Sequence, residues 1–226
     1  MKWVLGILLT GIIIVGVYFY IGFNGLPWKA QDTANEIQMH LENKYSIKTS
    51  IKDTYFNFKQ GTYGAYFYED GKDKTFQFHA EKTHSGIEDT YGKEVWFWQI
   101  ENDLNPIVQK HMSNLNTYEA THTHGPGYTG DTNITHYKNA GQTFNYRIVL
   151  NKPWDKLDEQ IIYEELLQVV KEIKTKEIKN VDIELAPTST QHSDSKSIHI
   201  PDFAIKHIKT KEDILEYIVI NTISPY

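Results

Sequence analysis

Cysteine is absent from this 226-residue chain, and arginine occurs only once, at Arg147. Without cysteine the protein has no disulfide, no thiolate metal site and no cysteine nucleophile. Arginine is the side chain best suited to bidentate contacts with phosphates and guanine edges. The formal net charge is −6 and no basic run occurs, so the chain lacks the electrostatic footprint of a polyanion binder. Nucleic-acid binding is therefore not expected.

Charge is also missing from residues 3–23, WVLGILLTGIIIVGVYFYIGF. A helix of this length extends about 31 Å, which matches the hydrocarbon core of a bilayer. Aromatic residues lie near the two ends of the run, as they do at membrane interfaces: Trp3 at one end, and Tyr18, Tyr20 and Trp28 near the other. A soluble core helix would have a polar face, and a cleaved signal peptide would have a shorter apolar region and a small-residue cleavage site. We therefore predict a membrane anchor at residues 1–28, which partners the lipid bilayer.

The orientation of this anchor rests on few charges. Only Lys2 and the amino terminus precede the apolar run, and Lys29 follows it closely. The rule that positive charge stays in the cytoplasm is therefore only weakly informative here. A single N-terminal anchor most often leaves its short end in the cytoplasm. We expect the soluble part of the chain to be extracytoplasmic.

Hydrophobic periodicity after the anchor predicts an α+β fold, with the first unit at residues 29–115. Ala30, Ala34, Ile37 and Leu41 recur at helical spacing, which predicts a helix over 29–44. Three strand-like runs joined by short glycine-bearing turns follow, and a further helical pattern comes after them: 47–58, 62–69, 74–82 and 93–115. The first unit is therefore predicted to contain a helix, then an antiparallel three-stranded meander, then a second helical segment.

The second unit is predicted at residues 142–226, in the order β-α-β-β-α. Strand alternation at 142–150 and 180–186 flanks a helix with a wide apolar stripe, and a short strand and a final helix near 211–222 complete it. Residues 116–141 are rich in Thr, Asn, Gly and His, which predicts a connecting segment, and a strand around Tyr118–His124 is the alternative for part of it. A stretch of this length is long for a connection inside a compact domain.

The first unit resembles the uncharacterised YfjL-like membrane-anchored proteins of Bacillus-type Gram-positive bacteria. The resemblance lies in a single N-terminal span, a helix ending HLENKYSI, an aromatic meander and the stretch SGIEDTYGKEVWFWQIENDL. The residues that carry it are Tyr45, Tyr63, Phe76, Phe78, Gly86, Asp89, Tyr91 and Trp96. The resemblance covers residues 1 to about 115 and implies a Gram-positive cell-surface setting. It implies no activity.

Histidines in the connecting segment are the candidate metal ligands. His122 and His124 are two residues apart, so in an extended segment both would face the same side. Asp131 or His136 would supply a third ligand, and zinc with an open position would activate a water. The alternative is a solvated linker, which the intervening glycines and proline favour. A histidine cluster that responds to pH is a further reading.

The element Gly86-x-x-Asp89-x-Tyr91 has two interpretations. In the structural one, Asp89 caps the following helix and Gly86 makes the turn, which is routine where a strand leads into a helix. In the functional one, Asp89 and Tyr91 contact a ligand at the end of the sheet.

The meander holds more aromatic residues than one sheet face can hide: Tyr55, Phe56, Phe58, Tyr63, Tyr66, Phe67 and Tyr68. Alternation sends some of them to the other face. Either the helices at 93–115 cover that face, which is the favoured interpretation, or an aromatic patch is open to a partner.

These patterns predict a membrane-anchored extracytoplasmic protein that acts, without catalysis or a cofactor, as an interaction or sensing module at the cell surface. Its protein partner cannot be read from the residues. The alternative is a metal-dependent hydrolase that uses a histidine cluster in residues 121–137.

Overall fold

The computed structural model describes residues 2–124, 130, 132–188 and 195–221. Its helices are α1 (Lys2–Asn24), α2 (Pro27–Tyr45), α3 (Tyr91–His111), α4 (Glu159–Thr175), α5 (Asp202–Ile205) and α6 (Lys211–Leu215). Its strands are β1 (Thr49–Asn57), β2 (Thr62–Glu69), β3 (Gln77–Lys82), β4 (Ile87–Asp89), β5 (Leu115–His124), β6 (Thr143–Leu150), β7 (Val181–Ala186), β8 (Ser195–Ile200) and β9 (Ile218–Asn221). The fold is α+β, as predicted.

Helix α1 exposes apolar side chains on all sides. Ile12, Ile13 and Ile14 are 68%, 56% and 63% exposed, although successive residues point about 100° apart around the helix. Among the described residues, α1 is the helix that is long and apolar enough to cross a membrane. The Thr10 hydroxyl in the middle of the apolar run donates to the Gly6 carbonyl, so it needs no water.

Helix α2 begins at Pro27, whose missing N–H costs nothing in the first turn. It ends at Tyr45, and the next residue, Ser46, caps it in a left-handed conformation with φ of 56°. The stripe that periodicity predicted is the buried one: Ala30, Ala34, Ile37 and Leu41 are at most 8% exposed. This stripe packs on β1, β2 and β3.

Those strands belong to sheet A, an antiparallel meander in the order β1-β2-β3-β4. Side chains alternate along each strand, so one face of the sheet lies against α2. Ala65, Phe67, Phe78 and Ala80 form the centre of that face and are at most 2% exposed. We call the opposite side of sheet A, away from α2, the open face.

Sheet B forms the second unit, in the order β5-β6-β7-β8-β9. The pair β6–β7 is parallel and the other pairs are antiparallel. A parallel pair needs a long crossover, and α4 supplies it. Asp158 caps α4 by accepting from the Gln160 and Ile161 N–H groups. From Val95 onwards, α3 shares a core with α4 and the strands.

The boundary between the units differs from the predicted one. The chain divides between Glu94 and Val95, inside α3, rather than at residue 115. The reason is that the apolar stripe of α3 serves two cores: Tyr91 packs in the first unit, whereas Ile100 and Leu104 are fully buried in the second.

Residues 116–141 were predicted to be a connector, with a strand around Tyr118–His124 as the alternative for part of it. They hold most of β5 and a 3₁₀ turn at Tyr137–Asn139. Tyr137 is fully buried, its hydroxyl donates to Asp103 at 2.7 Å, and its N–H donates to Gln99 at 3.0 Å. The predicted final helix is shorter than expected. It ends at Leu215, because Ile218 pairs with Ile198 and starts β9.

Candidate binding face

The open face of sheet A carries a row of rings that touch one another. Tyr66 is paired in register with His79, and their ring centroids lie 5.9 Å apart. The Tyr55 and Tyr66 rings lie 5.4 Å apart. Tyr66 is 42% exposed, so its ring meets solvent. The face therefore offers aromatic surface to a partner.

Gly64 makes this arrangement possible. It lies between Tyr55 on β1 and Glu81 on β3, in register with both. A Cβ at this position would lie 2.4 Å from the Tyr55 ring and 2.8 Å from the Ala80 carbonyl oxygen. The Tyr55 ring therefore crosses over the glycine, and its hydroxyl donates to Glu81 at 3.1 Å. Burial, and then this bond to a carboxylate, raise the pKa of Tyr55 and keep it protonated.

Two carboxylates face each other at the edge of the row. Glu81 on β3 is paired directly with Glu88 on β4. Side chains paired in this way have Cβ atoms about 5 Å apart, and like charges in that position are destabilising. In the part of the chain that the structure describes, neither carboxylate forms an ion pair. The protein therefore retains an uncompensated negative charge here.

Neutral groups hold both carboxylates in place. Glu81 accepts from the Asn57 amide and the Thr62 hydroxyl, in addition to Tyr55. Glu88 accepts from two hydroxyls in the turn before it: Thr83 at 3.1 Å and Ser85 at 3.0 Å. These donors fix the oxygens without neutralising their charge.

A depression of about 220 Å³ opens beside the carboxylates. The residues that line it are Gln60, His79, Glu81, Thr83, Glu88, Asp89 and Thr90. None of these side chains carries a fixed positive charge. The depression is therefore suited to a cationic group, which would approach the carboxylates with the tyrosine rings beside it.

His79 adds a titratable group to the depression. Protein packed around its ring disfavours the charged form and lowers its pKa, although the residue as a whole is exposed. Glu81 and Asp89 oppose this shift, and Lys93 strengthens it. His79 is thus neutral at pH 7 and leaves the negative charge of the face undiminished.

Asp89 is a structural residue, which decides between the two interpretations of the Gly86–Tyr91 element. Its side chain is 1% exposed and accepts from Lys44 at 2.9 Å and from the Tyr45 hydroxyl at 2.8 Å. It also accepts from the Tyr91 N–H at 3.1 Å and so caps α3. Gly86 makes the turn with φ of 135°. Each Asp89 oxygen is already engaged within the protein.

The predicted metal ligands are only partly described. The backbone of β5 pairs His122 with Asn145 and His124 with Thr143, but the side chains of both histidines, and Asp131 entirely, lie outside the described residues. His136 is exposed, and its Nδ1 accepts from the Lys138 N–H at 3.4 Å, which caps the 3₁₀ turn. Within the described residues, no group of three His, Asp or Glu side chains has the geometry to hold a metal ion.

Sequence reasoning did not single out the pair Glu81–Glu88. Alternation along β3 places His79 and Glu81 on the polar face, and that signal was readable. The turn at residues 83–86 sets the partner of Glu81, however, and the three residues of β4 show no periodicity. The register was therefore not available from the pattern.

The fold defines a class: an apolar N-terminal helix, long enough to cross a membrane, is followed by a helix-covered antiparallel meander. Residues 1–89 match the family model described as the YfjL-like, N-terminal domain, which confirms the resemblance over that part of the chain. The matched range contains α1, α2 and all four strands of sheet A. No curated protein and no solved structure matches the chain.

Proposed function

We propose that this protein is a single-pass, membrane-anchored module that binds a cationic partner on the open face of sheet A, on the extracytoplasmic side and without catalysis. The observation that carries the binding role is the directly opposed pair Glu81–Glu88, which is held by neutral donors beside the half-buried Tyr55 ring and the exposed Tyr66 ring.

Support for the anchor comes from the exposure of α1. Removing a large apolar side chain from water contributes about 1.5–3 kcal/mol. Ile12, Ile14 and Phe19 are each more than half exposed, and so are most of the large apolar side chains described in the helix. A bilayer would cover them all, and the backbone of a helix satisfies its own hydrogen bonds there.

Support for a cationic partner comes from electrostatics. A bound ammonium or guanidinium would relieve the repulsion between Glu81 and Glu88 and gain charge-assisted hydrogen bonds. The same cation would lie near the Tyr55 and Tyr66 rings, whose faces attract positive charge. A Lys- or Arg-bearing peptide segment combines both features, and we commit to that class of partner.

Orientation is tested with single cysteines, because the wild-type chain has none that would react. Lys74→Cys places a thiol on an exposed turn of the first unit, and Lys2→Cys places one before the apolar run. A membrane-impermeant maleimide added to intact cells should label residue 74 and should label residue 2 only after lysis. The reverse pattern would place the soluble part in the cytoplasm, and recovery of the full chain in the soluble fraction would remove the anchor.

Binding is tested with a fluorescent oligolysine peptide and the full chain in detergent. Fluorescence anisotropy should show saturable binding to the wild-type protein, and the double variant Glu81→Gln, Glu88→Gln should bind about tenfold more weakly. The matched control is Glu184→Gln, which removes a carboxylate from sheet B and should leave the affinity unchanged. Equal affinities for all three proteins would refute the proposed site.

A further inference from the structure

The junction between α1 and the first unit is packed rather than loose. After α1 ends at Asn24, Gly25 turns the chain with φ of 68°, and the Leu26 N–H donates to the Tyr63 hydroxyl at 2.9 Å. A Cβ at Gly25 would lie 2.8 Å from both Phe56 and Tyr63. The turn therefore needs glycine for its conformation and for its close approach to β1 and β2.

The turn between β1 and β2 lies beside the end of α1. Its Phe58 ring is 5.7 Å from the ring of Phe23, which belongs to the last turns of α1. The turn is closed by the Gly61 N–H, which donates to the Asn57 carbonyl at 2.7 Å. Lys59 is exposed at its tip.

The side chains at this end of the unit suit a membrane surface. Phe58 is 52% exposed and Trp28 is 66% exposed. Lys29 is also exposed, and its ammonium lies 5.2 Å from the centroid of the Tyr63 ring. Aromatic rings favour the headgroup region, and lysines extend their charge towards anionic headgroups. Without a membrane, the apolar rings of Phe58 and Trp28 would be more than half exposed to water.

We infer that Trp28, Lys29, Phe58 and Lys59 form a membrane-contact collar, which lies in the headgroup region of the bilayer that α1 crosses. This inference rests on the proposed anchor and adds a second point of attachment to it. With the helix exit fixed on Tyr63 and the turn resting on lipid, sheet A is held in a defined orientation to the membrane. The partner is an anionic lipid surface.

The experiment uses spin labels on single cysteines in the full chain, reconstituted in phosphatidylcholine vesicles that contain phosphatidylglycerol. Lys59→Cys reports the collar and leaves Phe58 in place. Lys74→Cys, in the turn between β2 and β3, is the matched control, because β2 spans about 26 Å at 3.3 Å per residue. Ile14→Cys reports the anchor itself. Collisions with oxygen and with a water-soluble nickel chelate give the depth of each label.

The collar predicts that the label at residue 59 collides with the nickel chelate severalfold less than the label at residue 74. Phe58→Asp should return the residue-59 label to the value at residue 74, while near-ultraviolet circular dichroism shows that the unit remains folded. If residue 59 is as accessible as residue 74 while residue 14 lies in the hydrocarbon, the collar is wrong and the anchor stands. If residue 14 is also accessible to nickel, the anchor fails and the collar fails with it.

Discussion

The two sheets of this protein differ in how paired charges surround their carboxylates. On sheet B, Glu184 lies 3.5 Å from the Arg147 guanidinium, and Asp182 lies 3.8 Å from the His199 ring. On the open face of sheet A, Glu81 and Glu88 oppose each other and are bound by neutral donors. Arg147 thus compensates Glu184 on sheet B, whereas within the described residues no ion pair compensates Glu81 or Glu88 on sheet A.

The same contrast exists between neighbouring residues of β4. Asp89 points to the covered side of sheet A and has Lys44 as its counterion, while Glu88 points to the open face. A buried carboxylate without a partner would be too costly, so the fold supplies one. An exposed carboxylate is solvated and can be left for function. Burial therefore separates the structural carboxylate of Asp89 from the carboxylate of Glu88, to which we assign the proposed binding role.

Of the changes that test this contrast, Asp89→Ala is expected to lower the stability of the first unit most. The change removes the cap of α3 and leaves Lys44 and the Tyr45 hydroxyl without their shared acceptor. Loss of one partner of a buried pair costs about 3 kcal/mol. Hydrogen exchange at β2 and β3 amides should show this fall in the free energy of opening. Glu88→Ala, one residue away, is the control and should show no fall.

Gly64→Ala should cause the next largest loss of stability, because it disturbs the packing of the Tyr55 ring on the open face directly. The added methyl would overlap the Tyr55 ring and press on the Ala80 carbonyl. Overpacking of this kind costs about 2 kcal/mol. Hydrogen exchange of the sheet A amides measures it, and the double variant with Tyr55→Ser should recover part of the loss. An unchanged free energy in the single variant would show that the ring does not lie over the glycine.

Lowering the pH should weaken oligolysine binding to the open face. The fold lowers the pKa of His79, so the ring is neutral above the ordinary histidine pKa. As the pH falls through the lowered pKa, the ring takes up a proton, and the stability that its neutral form contributes is lost. The new positive charge beside Glu81 should reduce affinity about threefold. Anisotropy titrations between pH 7 and about pH 5 measure this loss, with His79→Gln as the variant that should flatten it. An identical slope in both proteins would remove His79 from the site.

The smallest effects on stability should come from removing one charge from each sheet: a carboxylate from sheet A and a guanidinium from sheet B. Glu88→Gln removes a like charge opposite Glu81 and should stabilise the first unit by about 0.5 kcal/mol. Arg147→Ala removes the counterion of Glu184 and should destabilise the second unit by about 0.5 kcal/mol, because the arginine is half exposed and screened by water. Hydrogen exchange resolves the units separately. Shifts of the same sign would contradict the contrast between the faces.

Periodicity predicted the regular elements well, because their burial follows from side-chain spacing. The apolar run of α1, the stripe of α2 and the first three strands of the meander were readable in this way, whereas the short β4 was not. The second unit was harder. Most of β5 lies in the predicted connector, because its Thr- and His-rich residues resemble a loop. A strand around Tyr118–His124 was the alternative for part of that segment, and pairing with β6 forms it.

The binding face was less predictable, for a physical reason. An excess of tyrosines showed that some would lie outside the core, and Tyr66 does. The decisive property is the absence of a counterion for Glu81 and Glu88 among the described residues, and that depends on register across a turn. The closely spaced His122 and His124 suggested a metal site in the sequence, whereas the proposed binding face is built from Glu and Tyr, which carry no such motif.

Zero-length crosslinking with a carbodiimide tests the central contrast most directly, because it joins a lysine amine to a carboxylate that is in contact with it. Oligolysine peptide is bound to the full chain in detergent, and the adducts are mapped by mass spectrometry. The predicted result is that adducts concentrate on Glu81 and Glu88. Adducts concentrated on Asp182 or Glu184 of sheet B, or spread evenly over the exposed acidic residues, would contradict the assignment of the open face as the binding site.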